Sequence, residues 1–282
     1  MSLKTILVFL DERDYCDSTL RAAVKLAVEH EAHLIGVAIQ RPFQPYVSFY
    51  ADLAVSYDID EWLLKHENER VAELRTMFDD YTKAQDIVPE WRSLGSHPDG
   101  VTAVLLQQTA AAELLIIGAG TDVDAVHPMM RDRSAIVTGS ACPVLCVPND
   151  DADKPIGKNV LVAWDGSVQA SRSVFRLTSV LSKANRVWLH RINSVDERKN
   201  HADDITRDLA NALSRKGIEL EIGFSDCKAS KVGQELLRVA VSHGADSIVM
   251  GAYAHSRVRD LVLGGVTRHI IANTTIPVFL NP

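Results

Sequence analysis

At 282 residues, the chain is long enough for one large domain or two ordinary ones, each with its own core. Hydrophobic residues make up 46% and charged residues 24%, the balance of a globular protein in water. The net charge of −7 excludes a general nucleic-acid binder, whose affinity comes from neutralising phosphates.

Residues 4–10 (KTILVFL) form a continuous apolar run of strand length, the pattern of a strand covered on both faces. Cys16–His30 repeats apolar residues at helical spacing, with Asp17 or Ser18 as the expected cap. His33–Ile39 reads as a second strand, and Arg41–Asp58 as a long aromatic loop. A helix is predicted over Ile59–Gln85, a strand over Val88–Leu94 and a helix over Val101–Ala111. Glu113–Ile117, Arg131–Thr138 and Pro143–Val147 continue as strand, helix and strand. The N-terminal apolar run is too short for a signal peptide, and no run approaches a membrane span.

Asn149–Gly157 (NDDADKPIG) is acidic, has no apolar periodicity and carries Pro and Gly, which is linker chemistry. After it the series restarts. NVLVAWD (Asn159–Asp165) matches TILVFLD (Thr5–Asp11), DSIVMGAY matches ELLIIGAG, and IIANTTIPVFLNP matches IVTGSACPVLCVP. Strands are expected at Arg186–Ile192, Ile218–Ser225, Asp246–Met250 and Ile276–Leu280. Helices are expected at Val168–Leu181, His201–Lys216 and Lys231–Ser242, with one more after Gly264-Gly265. The chain is thus two tandem βαβαβαβαβ units, residues 1–148 and 158–282, joined by residues 149–157. Alternating strands and helices imply α/β domains, each a doubly wound parallel sheet. In such sheets ligands bind at the carboxyl ends of the strands, where strand order reverses. A reversal between strands one and four puts Asp165 and the Gly251 loop at one crevice.

Ser247–Asn273 is the stretch richest in chemistry: a strand, a loop opened by Gly251, the pair Gly264-Gly265, then a helix. Loop N–H groups and those of a first helical turn point together at an anion. AHSRVRDLVLGGVTR (Ala254–Arg268), the Asp-terminated first strands, Ile248–Gly251 and the closing Pro-Val-hydrophobic strands resemble a tandem universal stress protein over nearly the whole chain. The resemblance implies a five-stranded sheet of order 3-2-1-4-5 in each half. It also implies dimer contacts through strand five, met here within one chain, between Cys142–Val147 and Ile276–Leu280, as an intramolecular pseudo-dimer. For a subset of the family it implies an ATP site on a pattern of Gly, two residues, Gly, nine residues, Gly, then Ser or Thr. The second half has Gly251, Ala254, Gly264 and Gly265 at those positions. Ala254 replaces a glycine and Gly265 replaces the hydroxyl. The first half departs further: the glycine pair falls opposite Met130 and Arg131, and Asp122 and Asp124 would repel phosphate.

An adenine nucleotide (ATP, ADP or AMP, with Mg²⁺ accompanying it) is therefore expected in the second half alone. Asp165 would take the adenosine part, Arg191 would line the crevice, and Gly251, Ala254, His255, Gly264, Gly265, Val266 and Thr267 would surround the phosphates. Plainer readings stand beside these. The glycines serve equally as turn and packing residues, Asp165 equally as part of a helix cap near Ser167. His255, Arg257, Arg259, Arg268 and His269 serve as solvated charge. His190 and the cysteines (Cys16, Cys142, Cys146, Cys227) read as structural, the thiols reduced in a cytoplasmic protein. No P-loop, Rossmann glycine fingerprint, Gly-x-Ser-x-Gly elbow or HExxH motif occurs. The reading is a cytoplasmic regulatory or binding protein without efficient turnover. Its rivals are a nucleotide-free scaffold that meets a protein partner through the 43–57 loop, and a slow ATPase. The pseudo-dimer is open to further pairing as a homodimer.

Overall fold

A computed structural model describes residues 2–41, 53–95, 100–119, 133–149, 154–194, 202–252 and 265–282, with backbone alone for residues 14, 15, 53–60, 194, 202 and 203. The first half runs β1 (Thr5–Phe9), α1 (Arg13–His30), β2 (His33–Ile39), α2 (Leu53–Thr82), β3 (Val88–Leu94), α3 (Gly100–Gln108), β4 (Leu114–Gly118), α4 (Arg133–Gly139) and β5 (Val144–Val147). The second runs β6 (Asn159–Trp164), α5 (Val168–Arg176), α6 (Thr178–Leu181), β7 (Arg186–Ser194), α7 (Ala202–Ser214), β8 (Glu221–Cys227), α8 (Val232–Ser242), β9 (Ser247–Gly251), α9 (Gly265–Asn273) and β10 (Val278–Asn281).

The strands form one ten-stranded sheet of order β3-β2-β1-β4-β5-β10-β9-β6-β7-β8. Each half therefore has the expected order 3-2-1-4-5, all parallel. The halves meet where β5 and β10 pair antiparallel, Val144 with Leu280, Leu145 with Phe279 and Cys146 with Val278. All six residues are fully buried, and a buried side chain of this kind contributes about 1.5–3 kcal/mol. The pseudo-dimer is thus a continuous sheet. One apolar layer carries α1, α2, α5 and α7 (Leu20, Phe78, Val174, Leu213) across both halves, and the other carries α3, α4, α8 and α9 (Leu105, Val137, Leu236, Ile270). Polar ties reinforce the junction. Lys158 pairs with Glu29, and Arg176 donates to the Ala141 carbonyl at 3.1 Å.

One device recurs in both halves. A carboxylate just before strand four receives the first N–H groups of strand one. Glu113 accepts from Lys4 and Thr5, and Asp246 from Lys158 and Asn159, the latter at 2.7 Å. Backbone donors at the strand start are thereby satisfied without water.

Four expectations need correction. α1 starts at Arg13, and Asp17 and Ser18 lie inside it. Asp17 instead accepts from Tyr81 and pairs with Arg21 at 2.5 Å. α2 begins at Leu53 rather than Ile59, so 53–58 of the presumed loop is helical. Its residues 61–66 are all exposed, Trp62, Leu63 and Leu64 among them, which leaves no apolar stripe to mark that end. The helix expected over Val168–Leu181 breaks at Leu177 into α5 and α6. β8 starts at Glu221 rather than Ile218. Gly217 takes φ +76° and the Ile218 N–H donates to the Leu213 carbonyl at 3.1 Å, so Ile218 closes α7 in a glycine C-cap.

Candidate functional site

β6 lies between β7 and β9, all parallel, so the order reverses at β6, as the crevice argument requires. Asp165 follows the last residue of β6 and is exposed. Its Oδ1 accepts the Ser167 N–H at 2.8 Å, while Ser167 Oγ accepts the Ala170 N–H at 3.1 Å and caps α5. Ser167 is the cap residue, and Asp165 shapes the turn before it. Gly166 stands between them at φ +80°, a conformation that favours glycine. A Cβ there would lie 3.4 Å from Arg191 Nη1, so the guanidinium rests over this turn. Arg191 is opposite Trp164 in the β6–β7 register and half-buried. Its Nε donates to Asn193 Oδ1 at 3.0 Å. Asp165 and Arg191 are therefore brought together at the carboxyl ends of adjacent strands.

Gly251 closes β9 on the other side of β6, and its role there is steric. A Cβ would come within 2.6 Å of the Ala170 N and 2.7 Å of the Gln169 carbonyl carbon. The first turn of α5 packs directly on the end of β9, held by Ser173 Oγ donating to the Met250 carbonyl at 3.0 Å. The next N–H, that of Ala252, is committed to the Asn281 carbonyl at 2.9 Å.

Gly265 is the first residue of α9 and exposed, and a Cβ built on it meets no heavy atom of the described residues within 4 Å. Val266 is half-buried against the core and Thr267 is buried at 3% exposure, so from that turn backbone is offered outward. Ala254, His255 and Gly264 lie outside the described residues, as do Arg257 and Arg259 and, in the first half, Asp122, Asp124, Met130 and Arg131. Arg268 is exposed. His269 is turned away from the crevice, its ring packed on α8 where a Cβ at Gly233 would touch it at 2.8 Å.

His190 is 6% exposed beneath α8, with Nε2 3.1 Å from Ser225 Oγ. Burial, then the neighbouring His243, pushes its pKa below the usual histidine range, so it packs as a neutral ring. All four cysteines are unpaired. Among the described residues, no group of three or more His, Cys, Asp or Glu side chains converges to hold a metal ion. Nor is any helix among them long and apolar enough to cross a membrane.

The model of the universal stress protein family matches this chain twice, over residues 2–148 and 157–282. The chain belongs to the universal stress protein family. Curated relatives include universal stress protein Slr1230 of Synechocystis sp., 27% identical over 122 residues, covering 42% of this chain and 40% of that protein. Universal stress protein MJ0577 of Methanocaldococcus jannaschii is 29% identical over 92 residues, covering 31% of this chain and 57% of that protein. The chain thus aligns with about half the length of these relatives. Among solved structures, a universal stress protein from Archaeoglobus fulgidus superposes with a TM-score of 0.73 at 16% identity, covering 99% of this chain and 96% of that one. A functionally unknown Pseudomonas aeruginosa protein, PA1789, superposes with a TM-score of 0.59 at 14% identity, covering 99% and 92%. At such identities the universal stress protein likeness establishes the fold over the full chain.

The sequence did not point to the residues that gather at the equivalent edge of the first half. Arg41 and Arg70 both reach Asp11, the counterpart of Asp165. Arg70 comes from 59 residues away on α2, and no local spacing announces such a partner.

Proposed function

We propose that the chain is a universal-stress-type binding and regulatory protein of the cytoplasm that holds one adenine nucleotide in its second half. The observation that carries this reading is that Asp165 and Arg191 flank Gly166 just past β6, where the strand order of the sheet reverses, with α9 following the neighbouring strand β9 in the chain. Asp165 takes the adenosine part by accepting its hydroxyl or amino hydrogens. Gly265 and Val266 present first-turn N–H groups to phosphate, aided by the helix dipole. Ala254, His255 and Gly264 complete the cradle, with Mg²⁺ accompanying a triphosphate. Gly251 contributes by letting α5 approach β9, and Thr267 by anchoring α9. Turnover is not part of the proposal.

Mass spectrometry of small molecules released on denaturing the purified protein tests it. ATP, ADP or AMP should be found, or millimolar ATP with Mg²⁺ should raise the melting temperature, and Gly264→Asp should abolish that rise. No nucleotide and no shift would defeat the reading. A second reading, a scaffold for a protein partner, is favoured by the exposed Trp62, Leu63 and Leu64 on α2, beside the 43–57 segment. Capture of a partner that depends on these residues, with no nucleotide bound, would support it.

A further inference from the structure

Asp11 and Asp165 occupy matching positions after β1 and β6, yet their surroundings differ. Asp165 is exposed. Asp11 is gripped from two sides. Arg41, just beyond β2, donates from Nη2 to Asp11 Oδ1 at 3.2 Å and to Glu12. Arg70, from α2, donates to the Asp11 carbonyl and, at 2.9 Å, to the Ile39 carbonyl at the end of β2. Glu67 ties the two arginines together. It receives Arg70 Nε at 3.0 Å and the Arg41 N–H at 2.7 Å. These side chains are largely withdrawn from water, Arg70 at 11% exposure and Glu67 at 18%. Burial works to raise the Glu67 pKa, but Arg70 and Arg41 outweigh it and hold the carboxyl below the usual range. The cluster is a coupled network of charge-assisted bonds, in which members act together.

We propose that the first half's crevice is closed from within: α2 is its built-in occupant, latched over the ends of β1 and β2 by Arg70, which pairs with the Asp11 carboxylate at 3.7 Å and donates to the Asp11 and Ile39 carbonyls, and by Glu67, which accepts the Arg41 N–H. The attachment of α2 supports this. From Val71 onward the helix is held by apolar side chains, Val71, Leu74 and Phe78, sunk into the core. Residues 61–66 are all exposed. Between them, the described ties to the β2 end are polar: Glu67, Asn68 with Gln40 at 3.2 Å, and Arg70. α2 has 30 residues against 13 in α7, its counterpart. Glu67 and Arg70 bring α2 to the ends of β1 and β2, while Asp165 in the second half is exposed. The two halves thus share a fold and differ at the aspartate after strand one, Asp11 bound by Arg41 and Arg70 and Asp165 exposed.

Cys16 reports on the latch. It lies in α1 at 4% exposure, and burial pushes its thiol up to about 12, against the backbone of Asp11 and Glu12. Cys146, fully buried at the β5–β10 junction, reports global opening. The full-length chain is treated with N-ethylmaleimide and each cysteine's labelling followed by peptide mass spectrometry. Asp11→Asn and Arg70→Met should each speed Cys16 labelling at least tenfold, with Cys146 unchanged and the double variant little faster than either single one. Raising sodium chloride on the unaltered chain should act in the same direction, and this comparison stands should Arg70→Met fail to fold. Cys16 labelling that is unchanged, or that rises only in step with Cys146, would overturn the proposal. No ligand enters the readout, so the result is independent of nucleotide binding.

Discussion

Gly265→Ser restores a hydroxyl at the start of α9, where the ATP-binding pattern of the family places one. Among the described residues a Cβ at Gly265 meets no heavy atom within 4 Å, and the residue is not among the positive-φ glycines. The fold should therefore tolerate the change and gain roughly 0.4–1 kcal/mol, because the unfolded chain loses freedom. A hydroxyl donating to a phosphate oxygen contributes about 1.5–3 kcal/mol, less the side-chain entropy of ordering it, of about 0.5–1 kcal/mol. The balance corresponds to roughly a tenfold gain in affinity, at 1.4 kcal/mol per decade. Calorimetric titration with ATP and Mg²⁺, alongside melting temperature without ligand, measures both. An affinity equal to or weaker than that of the unaltered chain, at unchanged melting temperature, would refute the placement of phosphate at α9.

Gly251→Ala should destabilise by about 1–3 kcal/mol, the cost of overpacking, because the new Cβ meets backbone in α5; Gly95→Ala, with no atom within 4 Å, should be near neutral in the same urea titration. Asp246→Ala leaves the Lys158 and Asn159 N–H groups at the head of β6 without their acceptor. About 2 kcal/mol or more should be lost, with faster amide exchange at those two residues and little change at β1. Acid should destabilise the fold through His30, which is 2% exposed and accepts the Leu3 N–H at 3.1 Å. Burial, then Lys183, lowers its pKa from 6.5 to about 4, so the unfolded chain binds the extra proton between these values. Its stabilising effect is complete above pH 6.5 and is lost as pH falls toward 4, up to about 3 kcal/mol. His30→Gln should flatten that part of the pH–stability curve, and an unchanged curve would show that other groups govern it.

Much of the fold was legible because its determinants are local. β2 and β3 fall where alternation and apolar runs put them, and the family resemblance implied the β5–β10 seam. What escaped depends on partners distant in sequence. Asp17 looks like a cap, but α1 starts earlier, with an extended Glu12 whose side chain makes no cap bond and is held by Arg41 instead. Ile218 looks like strand but serves the end of α7. At the candidate site, Asp165 and Arg191 were readable from strand ends, and the fold sets them on either side of the Gly166 turn. Gly251 was readable as a glycine needed at that turn, but the reason, contact with Ala170 and Gln169, is tertiary. The Arg41–Asp11–Arg70 cluster joins residues just past β2, just past β1 and in α2, and so it appears only in the fold.

Under the proposed function, the second half alone takes adenine nucleotide, one per chain. Calorimetric titration of the full-length protein with ATP and Mg²⁺ tests it most directly, with Asp165→Ala and Asp11→Ala measured in parallel. One equivalent of nucleotide bound, weakened by Asp165→Ala and unaffected by Asp11→Ala, is the predicted result. Two equivalents, or binding that survives Asp165→Ala and fails in Asp11→Ala, would contradict it.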